Sequence, residues 1–185
     1  MMVSSNTLHV VSTEVTVGSF AMAGLAFMLA GLASHDLFER RRWLPLADHV
    51  GHFALAFGML AMPVAILTGI ASSPGEGVDH PVLINKMFLA STSFGLALGV
   101  VLARWRHGSV LWENEWSKRW QSLGGMMAAG LTLLTASLGG TFARGESLLD
   151  MLHLPYDQVP LMPVLLSMVL IVAALGNLWV ARSEA

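Results

Sequence analysis

Five long apolar stretches, at roughly residues 11–34, 46–71, 82–103, 121–141 and 159–181, run through this chain of 185 residues. Each is long enough to cross about 30 Å of hydrocarbon. Inside lipid every backbone donor and acceptor must be satisfied internally, so each stretch is expected to be a transmembrane helix. Glycine and proline within them (Gly18, Gly24, Pro63, Gly95, Gly99, Pro163) are tolerated in such helices. A hydrophobic fraction of 55% against 12% charged residues, with a mean hydropathy of +0.64, lies outside the soluble globular range. Five spans leave no length for a soluble domain, so residues 1–185 read as one membrane domain. The first stretch is not expected to be a signal peptide. Residues 1–9 contain no Lys or Arg, and the apolar run continues to Ala33.

Charge then gives direction. Eight of the ten cations (Arg40, Arg41, Arg42, Arg104, Arg106, Lys118, Arg119 and Arg182) fall in gaps on one alternating side of the spans. By the positive-inside rule that side is cytoplasmic, so the N-terminus is outside and the C-terminus inside. Trp43, Trp105, Trp112, Trp116, Trp120 and Trp179 fall on the same side, where indole rings favour the headgroup layer. The expected fold is therefore an all-α, five-helix transmembrane bundle in a bacterial inner membrane. Small residues (Gly95 and Gly99, Gly125 and Ala129, Ala136 and Gly140) suit close approach of the first four helices, with the fifth peripheral or against a partner. Trp112, Trp116 and Trp120, four apart, predict an interfacial helix leading into the fourth span. On the outer side Ser147 to Asp150 has capping-box spacing, and a short helix through His153 is expected there. The acidic residues Glu76, Asp79, Glu146, Asp150 and Asp157 on that side read as solvated loop charge.

Ionisable residues inside apolar segments are expensive and mark function. Two stand out: Glu14 in the first span and Lys86 in the third, at similar depth from the outer face. They are expected to pair or to line a wet cavity, with Asn85, Ser12 and Thr16 as neighbours. The seven histidines group by side. His9, His80 and His153 lie at the outer boundary, and His35, His49, His52 and His107 at the inner one. His49 and His52, three apart and beside Asp48, share one face at the start of the second span. Neutral imidazole is a usual axial ligand of b-type haem, and bundle cores hold such cofactors between helices. His49 or His52 with His35 or His107, or His9 with His80 or His153, are the candidate ligand pairs. The chain has no cysteine, which excludes thiolate metal sites. It has no phosphate-binding glycine loop, no nucleophile elbow and no nucleic-acid motif, so independent catalysis and nucleic-acid partners are not expected.

Over about residues 8–145 the chain resembles a family of small bacterial membrane proteins with four core helices, some described as haem-binding. Family members open the first helix with a motif like H-P-L-x-V-H-F-P. Leu8-His9-Val10-Val11-Ser12-Thr13-Glu14 stands in that stretch, with His9 at the first histidine and Glu14 where the second would be. Leu67-Thr68-Gly69 is similar to the Thr-Gly pair ending the family's second helix. The run from Leu138-Gly139-Gly140 to Gly145 is similar to its Gly-Gly motif, and Lys86 stands where relatives carry His. The resemblance implies that two positions that are haem ligands in relatives are Glu14 and Lys86 here, which argues against haem at the outer site and for an ion pair in its place.

Together these readings predict an accessory membrane subunit of an electron-transfer complex. It would contact the bilayer and other subunits, and shape a quinone or haem site from His9, Glu14, His49, His52 and Lys86. The alternatives are a b-type haem electron carrier using His49 or His52, and a small proton or solute transporter using Glu14 and Lys86.

Overall fold

A computed structural model describes residues 4–35, 42–73 and 80–145, and six helical residues further on (168, 169, 171, 172, 175 and 176). The described residues are all-helical, with no strand among them. Four long helices form the fold: α1 (Ser5–Ser34), α2 (Leu44–Ser72), α3 (Pro81–His107) and α4 (Glu115–Arg144). All four are long and apolar enough to cross a membrane, as in a multi-pass membrane protein. Of the five expected spans, most of 159–181 lies outside the described residues, as do Glu76, Asp79, Glu146, Asp150, Asp157 and the short helix expected through His153.

Each helix runs past the apolar stretch that announces it. At 1.5 Å per residue, 27 to 30 residues extend about 40–45 Å, well beyond the hydrocarbon layer. Hydropathy marks only the part in lipid, while polar caps continue the helices outward. Ser4 Oγ accepts the Thr7 amide at 3.2 Å to start α1, and the His80 ring accepts the Val82 amide at 3.3 Å to start α3. Asn114 Oδ1 accepts the amides of Trp116 and Ser117 to start α4, at 2.9 and 3.3 Å. Gly108, at φ 61°, ends α3, and Gly145, at φ 70°, ends α4; both lie in the left-handed region that glycine enters without a Cβ penalty.

The pairs of residues that meet fix an up-and-down bundle. Along α1 and α2, His9 meets Ala65 and Gly69, Phe20 meets Gly58, and Phe27 meets Gly51. Along α1 and α4, Gly24 meets Ala129, Phe27 meets Gly125, and Gly31 meets Ser122. Along α3 and α4, Lys86 meets Gly139, Ser93 meets Ala128 and Thr132, and Val100 meets Gly124. In every set one number rises as the other falls, so neighbouring helices are antiparallel.

Two phenylalanines organise the middle. Phe20 and Phe27 are fully buried, Phe20 set against Gly58 of α2 and Phe27 against Gly51 of α2 and Gly125 of α4. A methyl group at Gly125 or Gly58 would collide with those rings, so glycine is what lets them enter. On α3 the buried face runs through Leu89, Ser93, Ala97 and Val100, while Gly95 and Gly99 are only half-buried. The bundle's lipid side carries large apolar groups such as Leu25, Phe53, Leu60 and Leu67, all exposed.

One expectation is corrected here. Trp112, Trp116 and Trp120 do not share an interfacial helix. A 3-10 turn (Gly108–Trp112) precedes the Asn114 cap, and α4 then runs without interruption into its span. Trp112 is on the near side of that break and is 6% exposed, whereas Trp116 and Trp120 are open to the surroundings. A polar partner for its indole N–H, described next, draws Trp112 inward.

Candidate functional site

The two ends of the bundle hold different polar arrangements. At the first end, Asp48 on α2 is 2% exposed and serves as a hub. Arg104 on α3 donates to it from Nη2 at 2.7 Å and from Nε at 2.8 and 3.1 Å. The Trp112 indole N–H donates to Oδ1 at 2.8 Å. His52, one turn along α2, lies with Nδ1 2.8 Å from the Asp48 carbonyl and 3.1 Å from its carboxylate. Both partners accept, so this nitrogen carries the proton. The other His52 nitrogen meets the Gln121 amide of α4 at 3.3 Å, and the ring stands edge-on to Phe27. Lys118 completes this end. Its ammonium donates to the Ser34 carbonyl at the end of α1, at 3.2 Å, and pairs with Glu115 at 2.5 Å. A cation at a helix C-terminus is favourable on its own account. This end is a lock: each of these charges has a partner on another element or on the next turn.

The histidines expected as inner ligands fall into this frame without converging. His49 is exposed and bonds the Pro45 carbonyl at 2.6 Å from Nδ1. His52 is buried with both nitrogens engaged, and His35 faces Glu115 at 4.0 Å. An axial ligand needs one free nitrogen, so His52 would first have to release Gln121. Among the described residues no three His, Asp or Glu side chains are grouped to hold a metal ion.

At the opposite end the helices part around a cavity of about 350 Å³. All four helices contribute, from Asn6 and Ser73 at the rim down to Thr16, Met62, Ala90 and Thr132. Its walls are largely apolar, and no Asp or Glu lines it among the described residues. Three polar groups set its chemistry. Lys86 of α3 reaches across to α4, with Nζ 2.8 Å from where a Cβ on Gly139 would stand. No hydrogen bond or ion pair engages this ammonium among the described residues. His9 of α1 donates from Nδ1 to the Ala65 carbonyl of α2 at 2.9 Å, with its ring against Gly69. Thr13 Oγ1 is buried and has no hydrogen-bond partner among the described residues. Such a buried orphan hydroxyl, in a wall of a cavity, is a group that a ligand would satisfy.

Of the residues picked out in sequence, His9 and Lys86 come together here, along with Gly69 and Gly139 from the Thr-Gly and Gly-Gly segments. Glu14 does not join them. It is exposed on the outer face of α1, and no ion pair links it to Lys86 among the described residues. The reason is helical phase: one face of α1 carries His9, Thr13, Thr16 and Val17 to the cavity, and Glu14 is rotated about 100° from Thr13. Thr13, Thr132 and Thr135 were not singled out as site residues, because threonine in a membrane helix looks like ordinary packing. The i, i+4 spacing of His9 and Thr13 is the signal that would have found Thr13.

Between the two ends the interior closes. Phe20, Phe27, Leu55, Met59, Ala97 and Ala128 are all buried in one apolar cluster. The cavity therefore enters from one end and stops at this layer. Compared with known proteins, the chain matches no family model, no curated protein and no solved structure.

Proposed function

We propose that this chain is an accessory subunit of a bacterial inner membrane, with its N-terminus outside, its C-terminus cytoplasmic and residues 159–181 crossing as a fifth helix. Its role is to hold a membrane-soluble ligand in the Lys86 cavity, on behalf of a larger electron-transfer complex. A quinone has the right general form for that setting, with acceptor oxygens on an apolar body.

The observation that carries this reading is the cavity itself. It is apolar, four-walled and closed toward the middle of the bundle, and it offers donors without any carboxylate among the described residues to occupy them. A pocket of a few hundred Å³ with a few convergent polar groups is the usual form of a small-molecule site. The apolar layer behind it favours a one-sided binding site over a conduit. Orientation is supported by the exposed Trp43, Trp105, Trp116 and Trp120 gathered at the Asp48 end with Arg42, Arg106 and Arg119.

Solvent extraction of the purified protein, with mass spectrometry of the extract, tests the reading. A membrane-soluble compound is expected at about one per chain, and it should be lost when Gly139→Leu fills the cavity. An extract identical in wild type and Gly139→Leu would sink the binding role. Co-purification with redox subunits tests the accessory role separately.

A further inference from the structure

Lys86 makes a demand that no described residue of the chain meets. Its ammonium sits between α3 and α4 over Gly139, in an apolar cavity where no described carboxylate or hydrogen-bond acceptor engages it. Taking an ammonium out of water costs free energy unless an opposite charge compensates it. Elsewhere in the same molecule comparable charges are compensated within the protein: Asp48 by Arg104, and Lys118 by Glu115 and the Ser34 carbonyl. The fold is thus able to partner a charge, and among the described residues it does not do so at this position.

The neighbourhood of Lys86 points the same way. Among the described residues the Thr13 hydroxyl has nothing to bond, and the His9 ring is held in place from Nδ1 against the Ala65 carbonyl. Deeper in, the lining is mainly apolar, with Val17, Met62, Ile66 and Ala90, and the hydroxyls of Thr16 and Thr132 are spent on the carbonyls of Ser12 and Ala128 one turn back. A cation and donors at the rim and hydrocarbon beneath are complementary to a molecule with a negative head and an apolar body.

We infer that the ligand of this cavity is an anionic amphiphile, a carboxylate or phosphate headgroup on an acyl chain, with Lys86 as its counter-charge. The inference rests on the binding role proposed above and replaces the neutral quinone named there with an anionic occupant. The carboxylate would come from a free fatty acid and the phosphate from a phospholipid.

Native mass spectrometry of the full chain released from detergent distinguishes these sources. The probes are palmitate, dipalmitoyl phosphatidate, methyl palmitate and decylubiquinone at equal concentration. At least one anion should bind about ten-fold more tightly than methyl palmitate, the difference expected of one charge-assisted contact. Preference for palmitate over phosphatidate assigns the carboxylate source, and the reverse assigns the phosphate. Lys86→Met should abolish the preference for the anion while keeping the weak binding of the ester, which also reports an intact cavity. Lys86→Arg should retain the preference. If all four probes bind equally and Gly139→Leu removes them all, the anionic headgroup is wrong and the binding role stands. If the preference survives in Lys86→Met, Lys86 is not the counter-charge. If no probe binds in a way that Gly139→Leu removes, the binding role itself falls.

Discussion

Asp48 and Lys86 are both ionisable residues set among apolar helices, near opposite ends of one bundle. Asp48 is buried and meets Arg104, Trp112 and His52. Lys86 is half-buried and, among the described residues, meets none. The contrast separates two uses of polarity in a membrane interior. A compensated charge fixes which helices are neighbours, here α2, α3 and the turn before α4. One that is uncompensated among the described residues is open to the partner proposed above, a ligand from outside the chain. Removing the group should therefore act in opposite directions at the two ends.

The largest effect is expected at the compensated end. Asp48→Asn leaves the Arg104 guanidinium without its counter-charge and weakens the Trp112 and His52 contacts. Breaking such a buried pair costs about 3–5 kcal/mol, so the Tm of the detergent-solubilised protein should fall steeply. Arg104→Met in the same chain should recover part of the loss, because the orphaned cation is gone. A Tm unchanged by Asp48→Asn would show that this network holds nothing together.

The contrast also depends on the layer that isolates the two ends. Gly125→Ala puts a methyl group into the Phe27 ring, which is fully buried and also touches Gly51 and His52. Overpacking of this kind costs about 1–3 kcal/mol. Thermal unfolding of Gly125→Ala beside Gly130→Ala, whose Cβ would meet open space, isolates the steric part. Equal Tm values for the two would mean that the helices shift apart freely and that the layer is not tight.

The bundle was legible in sequence because hydropathy and charge are properties of whole segments. Four helices lie where four of the apolar runs lie, and hydropathy misses only their polar ends. The site was legible by half. His9 and Lys86 stood out because ionisable groups are rare in lipid-facing sequence, and both line the cavity. Glu14 stood out for the same reason and faces outward, because depth along a helix says nothing about rotation around it. The Asp48 network was hidden for a different reason. Arg104, Trp112 and Gln121 look like boundary residues, and their role arises only when Arg104 and Trp112 meet over the Asp48 carboxylate and Gln121 meets the His52 ring beside it.

At the uncompensated end the sign should reverse. Lys86→Met keeps the length of the side chain and removes a charge that has no described partner. The ligand-free protein should gain about 1 kcal/mol, the relief of an unpaired group in an apolar wall. Unfolding of delipidated wild type and variant by heat reads this directly. A lower Tm in Lys86→Met would show that the ammonium is compensated after all, and the contrast with Asp48 would collapse.

Glu14 supplies the smallest effect and the sharpest control. It shares the depth of the cavity but lies on the exposed side of α1, away from His9, Thr13 and Thr16. A substitution on such a surface stays within about 0.5 kcal/mol. Glu14→Gln should therefore leave the Tm, the extracted ligand and proton flux in liposomes at wild-type values. Loss of flux or of ligand in Glu14→Gln would mean that depth in the membrane, rather than the face of the helix, decides which groups work together. It would also reopen the Glu14 and Lys86 pair as a transport element. If Glu14→Gln is silent while Lys86→Met changes both stability and ligand, the functional boundary follows the rotation of α1 between residues 13 and 14.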